Sequence, residues 1–154
     1  MQKDKLVTHT QCAARLTTIL EDTVPQLNAI GAAESAQPRA PGKWSRREIL
    51  GHLIDSAGNN HQRFVRAQYT SHLEFPPYAQ DEWVALQRYN ERPWPELIAL
   101  WHEYNRHLAH VMAVIDPASL ETPCVIEYPD PVTLQWLMTD YLDHLNHHLK
   151  QILS

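Results

Sequence analysis

The sequence predicts an all-α protein, an antiparallel four-helix bundle with short extra helices in its connections. Three observations lead there. Four long segments repeat apolar residues at helical spacing, and the stretches between them are proline-bearing, the chain holding 11 prolines. With 154 residues, 44% hydrophobic and 20% charged, there is material for one core but not for two domains of ordinary size.

The first helix follows Leu6, Ala13, Leu16, Leu20, Val24 and Leu27, with Pro25 expected to break or kink its end. Small and polar residues from Gly31 to Lys43 then lead into "WSRREI", where Ser45 and Glu48 have capping-box spacing and Trp44 and Ile49 flank them as a hydrophobic staple. This is the best-marked helix start in the chain, and the helix should run from about Ser45 to about Thr70. "FPPY" ends that region. A short helix is expected over Asp81 to Tyr89, and "ERPWPEL" launches a long one through Leu97, Ile98, Trp101, Leu108, Val111, Met112 and Ile115, stopped by Asp116-Pro117. One short strand cannot make a sheet, so Glu121 to Pro131 is expected to be a loop. The last helix starts near Thr133 and carries Leu134, Leu137, Met138, Tyr141, Leu145, Leu149 and Ile152.

Composition narrows the function. A net charge of −5 argues against a nucleic-acid partner, which would need basic residues gathered on one face. The opening residues have no apolar core of a signal peptide, and no stretch is long enough to span a membrane, so a cytoplasmic location is expected. Cys12 and Cys124 form no C-x-x-C pair, which excludes a thiolate zinc cage and fits two buried spacers. The expected partner is a small molecule. Five tryptophans and six tyrosines exceed what one small bundle must bury, so self-association as a homodimer is expected.

"DYLDHLNHHLK" places three of the chain's 10 histidines within five positions. On a helix, His144 and His148 lie on one face a turn apart, and His147 could substitute geometrically. A metal site needs a third ligand from another helix. His52 occupies one whose Asp55, Ser56, Asn59 and Arg63 continue a polar stripe; that stripe is either a solvated face or the lining of a pocket in the bundle. His102, on the third long helix, is a reserve ligand.

The segments "GKWSRREILGHLIDSAGNNHQRF", "YAQDEW", "LIALWHEYNRHL" and "YPDPVTLQWLMTDYLDHLNHHLKQI" together resemble the DinB/YfiT-like superfamily of metal-dependent enzymes. Its most specific elements here are W-S followed by H-x-x-D-S on one helix and H-x-x-H-H-x-x-x-I on the last. The resemblance implies a four-helix bundle with a three-histidine metal site, and a family that includes transferases and isomerases using low-molecular-weight thiols. Carried onto this chain, the ligands are His52, His144 and His148, with His147 left outside. Where close relatives often have paired histidines ahead of the aspartate, this chain has Gly51 before His52. The family is also commonly dimeric.

Three neutral imidazoles and no carboxylate leave coordination positions open for water or substrate, as in catalytic sites. Zinc, nickel and iron(II) all suit imidazole and are not distinguished. Asp55 is then a candidate hydrogen-bond acceptor behind the metal or a general base, and Arg63, Asn59 and Gln151 are candidate substrate contacts. The expected function is thiol-cofactor transfer or metal-assisted hydrolysis; the other class is a non-catalytic metal-binding or stress-response module.

Overall fold

A computed structural model describes residues 7–154. Leu6, counted above as the first apolar position of the first helix, lies outside them. Helix α1 spans His9–Asn28, entered through a capping box in which Thr8 accepts from the Gln11 amide and the Gln11 side chain returns the bond. Pro25 does not break it. It sits in the last turn, and its carbonyl still accepts from the Ala29 N–H at 3.2 Å. A five-residue helix α2, Ala32–Ala36, precedes the long α3, Arg46–Arg66. The capping box expected at Ser45 and Glu48 is present in both directions.

Helix α4, Gln80–Gln87, ends two residues before the expected Tyr89, where Arg88 takes a left-handed conformation at φ 53°. A single 3₁₀ turn, Tyr89–Glu91, then delivers Tyr89 to the core. Helix α5 spans Trp94–Ala113, and α6 spans Leu134–Leu153 behind the N-cap Thr133. The four long helices α1, α3, α5 and α6 form the expected bundle, α1 and α3 each packing on both α5 and α6. Their shared interior holds Leu16, Leu53, Phe64, Trp101, Met112 and Met138, all buried.

The expected loop between Glu121 and Pro131 is in part extended. Strand β1 (Leu73–Glu74) pairs in parallel with β2 (Pro123–Val125), which pairs antiparallel with β3 (Val132–Thr133). The partner of Cys124 is Leu73, so no local pattern announces the sheet. It closes the end of the bundle where α6 begins. Both cysteines are free and buried, as expected. Trp94 and Trp101 are buried and Trp44 and Trp136 pack against the core, so the bundle itself absorbs four of the tryptophans. No described helix is long and apolar enough to cross a membrane.

One contact fixes the two histidine-bearing helices end to end. Arg46, in the first turn of α3, donates from Nε to the Ile152 carbonyl at 2.9 Å and from Nη2 to the Ser154 carbonyl at 3.1 Å. These are carbonyls that a helix C-terminus leaves without partners, so the start of α3 caps the end of α6. Ser45 anchors the same corner, accepting from the Glu48 amide at 3.1 Å and donating to Asn90 Oδ1 at 2.6 Å. Ser45→Ala removes both bonds at a buried position and should lower stability by about 1–2 kcal/mol, read as a lowered midpoint of thermal unfolding with helical content unchanged.

Candidate metal centre

His52 lies seven residues into α3, on the flank that meets α6, and His144 and His148 face it from two successive turns of α6. The three imidazoles converge: each offers a ring nitrogen, and these nitrogens all lie within 4.8 Å of one another. His52 and His144 bring their Nε2 atoms to 3.1 Å. The ring of His52 is also 4.7 Å, centroid to centroid, from His148 and 5.1 Å from Trp44, whose indole walls the site on the side of the α3 N-terminus.

Burial keeps these rings neutral. The His52 side chain is fully enclosed, and burial, with the neighbouring His144 and His148, pushes its pKa down to about 3. His144 is pushed down to about 4 by burial, then by His148 and His147. His148 is lowered by burial, against an opposing hydrogen bond to Gln151. Neutral imidazole is the ligating form, so all three have a lone pair to offer at pH 7.

The donor set fits a divalent ion. Two nitrogens bound tetrahedrally at 2.0–2.1 Å stand about 3.3 Å apart, close to the 3.1 Å between His52 and His144. Gln151 Oε1 can only accept, so the 2.8 Å contact with His148 Nδ1 places a proton on that nitrogen and leaves Nε2 unprotonated. His52 lacks such a partner: its Nδ1 is buried with none, and packing against Trp44 holds the ring instead.

The other histidines stay apart from this group. His147 is exposed on α6, beside His148 but outside the cluster. His102 is partly exposed, 3.9 Å from Glu103. His61 instead bonds the Tyr104 hydroxyl at 2.8 Å.

The polar stripe of α3 is interior. Asp55, Ser56, Asn59 and Arg63 are all buried, which rules out the solvated face; of the four, Ser56 and Arg63 line a cavity. Their partners differ from those expected. Asp55 makes no bond to a histidine: its Oδ1 accepts from Tyr89 Oη at 2.6 Å and Gln87 Nε2 at 2.8 Å, and its Oδ2 is buried without a partner. Burial raises its pKa against the lowering effect of those two bonds. Gly51 makes this arrangement possible. A Cβ there would stand 2.1 Å from Tyr89 Cδ2, so the glycine is the space the Tyr89 ring occupies.

Asn59 turns its amide back to the Asp55 carbonyl at 2.9 Å and does not line either cavity beside the histidines. Arg63 does line one: a polar cavity of about 100 Å³ walled also by His144, Ser56, Tyr78, Glu127 and Asp140. On the opposite side, His148 and Gln151 border an open groove of about 590 Å³ with Arg39, Lys43 and Trp44. Asp140, Tyr78 and Glu127 were not singled out from the sequence. Asp140 stands four residues before His144, a visible helical register; Tyr78 and Glu127 come from connections with no periodicity to read.

Gln151→Leu should weaken divalent-metal affinity by roughly tenfold to a hundredfold, because His148 loses the side-chain hydrogen bond that fixes its tautomer. Gln151→Glu keeps an acceptor and should retain affinity. A metal titration followed by calorimetry separates the two variants.

Residues 15–152 match the DinB superfamily. A curated protein of Bacillus mycoides (strain KBAB4), provisionally named a metal-dependent hydrolase, is 23% identical over 117 residues, 76% of this chain and 67% of that protein. Among solved structures, YfiT from Bacillus subtilis, described as a probable metal-dependent hydrolase with an unusual four-helix bundle topology, superposes with a TM-score of 0.78 at 19% identity. It covers 91% of this chain and 83% of its own. The mycothiol-dependent maleylpyruvate isomerase gives a TM-score of 0.74 at 14% identity, over 94% of this chain and 59% of its own. The family match takes in all three converging histidines as well as the bundle that positions them, and the chain belongs to the DinB superfamily.

Proposed function

We propose that this chain is a metal-dependent enzyme acting on a small molecule, with His52, His144 and His148 holding one divalent ion. The observation that carries the reading is the convergence of three neutral imidazoles from α3 and α6 between a polar cavity and an open groove. A bound ion would supply a Lewis acid that lowers the pKa of a coordinated water or thiol. Zinc, nickel and iron(II) remain equivalent candidates on ligand type.

The chain's own residues set the rest. His52, enclosed by Trp44 and the two α6 histidines, excludes water from one side of the site, while His144 faces the cavity and His148 the groove. Gln151 holds the proton of His148 away from the centre. Half-buried Asp140 opens on the cavity it shares with His144, whereas buried Asp55 is tied to Tyr89 and Gln87. Asp140, raised in pKa chiefly by burial, takes the role of proton acceptor for the substrate.

Hydrolysis is favoured by the relatives described as metal-dependent hydrolases, and thiol transfer is the second reading, favoured by the fold shared with a mycothiol-dependent isomerase. The 590 Å³ groove beside His148 has room for a low-molecular-weight thiol. A panel of small esters, amides and thiol conjugates tests both. Turnover should vanish with chelator, return with zinc, nickel or iron(II), and fall by roughly a hundredfold or more in Asp140→Asn at unchanged metal content. Full turnover in the chelated protein would remove the proposal.

A further inference from the structure

Arg63 is the least explained charge in the interior. It is 5% exposed, on α3 three turns beyond His52; its guanidinium lies over the face of Phe75, whose ring centroid is 5.3 Å from Cζ. Nε and Nη2 are both buried and neither has a hydrogen-bond partner. An unpaired buried donor is costly, and a buried cation with two unpaired donors is costlier still. Glu127 and Asp140 face the same cavity and act on Arg63 from a distance, but neither forms an ion pair with it among the described residues.

The two unpaired atoms are a specific pair. Nε and Nη2 form the side of the guanidinium that binds a carboxylate with two parallel hydrogen bonds, a match that lysine cannot reproduce. Arg63 also lines the 100 Å³ cavity whose wall includes His144, room for about three waters or a short carboxylate. From this we infer that Arg63 is a substrate-anchoring residue, and that the site takes a small carboxylic acid whose carboxylate lies on the Arg63 fork within the cavity walled by His144. The cavity's remaining acceptors, Glu127 and Asp140, favour an acid that also carries a hydrogen-bond donor, such as a hydroxyl.

The fork is closed to solvent in the ligand-free chain, so binding turns the guanidinium into the cavity about its terminal single bonds. That motion exchanges two unsatisfied donors for two charge-assisted bonds. The inference rests on the proposed function only in presenting the anchored acid to a metal; the Arg63 subsite itself needs none.

Glycolate and its uncharged counterpart glycolamide are the probes, titrated into the full chain with its metal content measured. Glycolate should bind saturably and glycolamide at least tenfold more weakly, and the Arg63 Nε–H resonance should move with glycolate alone. Arg63→Lys, which keeps the charge and loses the fork, and Arg63→Gln, which loses both, should each weaken glycolate at least tenfold at unchanged helicity and metal content. Should neither variant fold, the parent's discrimination and the Arg63 resonance decide the matter alone. Glycolate affinity indifferent to Arg63 would place the acid on the metal, overturning this inference and leaving the metal centre standing. Absence of saturable glycolate binding also overturns it. Arg63-dependent binding to a chain that holds no metal would uphold the subsite and sink the metal reading.

Discussion

The packing of α3 on α6 is the constraint from which the site follows. His52 and His144 are 92 positions apart, yet their Nε2 atoms meet at 3.1 Å. Arg46 pins the start of α3 to the last carbonyls of α6, and the apolar rows around Leu53, Leu145 and Leu149 set the rotation of each helix about its axis. A turn of one residue on either helix would swing its imidazoles away by about 100°. The convergence of the three imidazoles therefore depends on the hydrophobic register of the bundle as much as on the histidines themselves.

That register carries a polar layer through the core. His52, Asp55, Ser56, Asn60 and Arg63 all lie inside on one helix, where aliphatic side chains would stabilise the fold more. Some of the cost is recovered: Asn60 donates to the Ser56 carbonyl at 2.9 Å, and Asp55 is held by Tyr89 and Gln87. Some is not, since His52 Nδ1, Asp55 Oδ2 and two nitrogens of Arg63 stay unpaired. Unsatisfied groups gathered in one layer next to converging ligands are what a site prepared for something further would retain.

Much of this was legible in the residues. The capping signature at Ser45, the i,i+4 spacing of His144 and His148, and the +3, +4, +7, +11 stripe following His52 each report a local periodicity, and local periodicity survives folding. What the stripe faced was not legible, because a solvated stripe and a buried polar layer share one pattern. Nor was the sheet, whose strands Leu73–Glu74 and Pro123–Val125 find each other across the whole of α4 and α5. The partners of Asp55 were hidden for the same reason: Tyr89 reaches it from a 3₁₀ turn, over a glycine whose role appears only once the ring is in place. Pro25 leaves α1 unbroken and stands three residues before its end at Asn28, its carbonyl still accepting from the Ala29 N–H.

The central claim is that one ion sits among His52, His144 and His148. Elemental analysis of protein purified without added metal, set beside His52→Ala, His148→Ala and His147→Ala, tests it most directly. The account predicts about one divalent metal per chain in the parent and in His147→Ala, and markedly less in the other two, all four remaining helical by circular dichroism. Equal metal content in the parent, His52→Ala and His148→Ala, or a site emptied by His147→Ala alone, would contradict it.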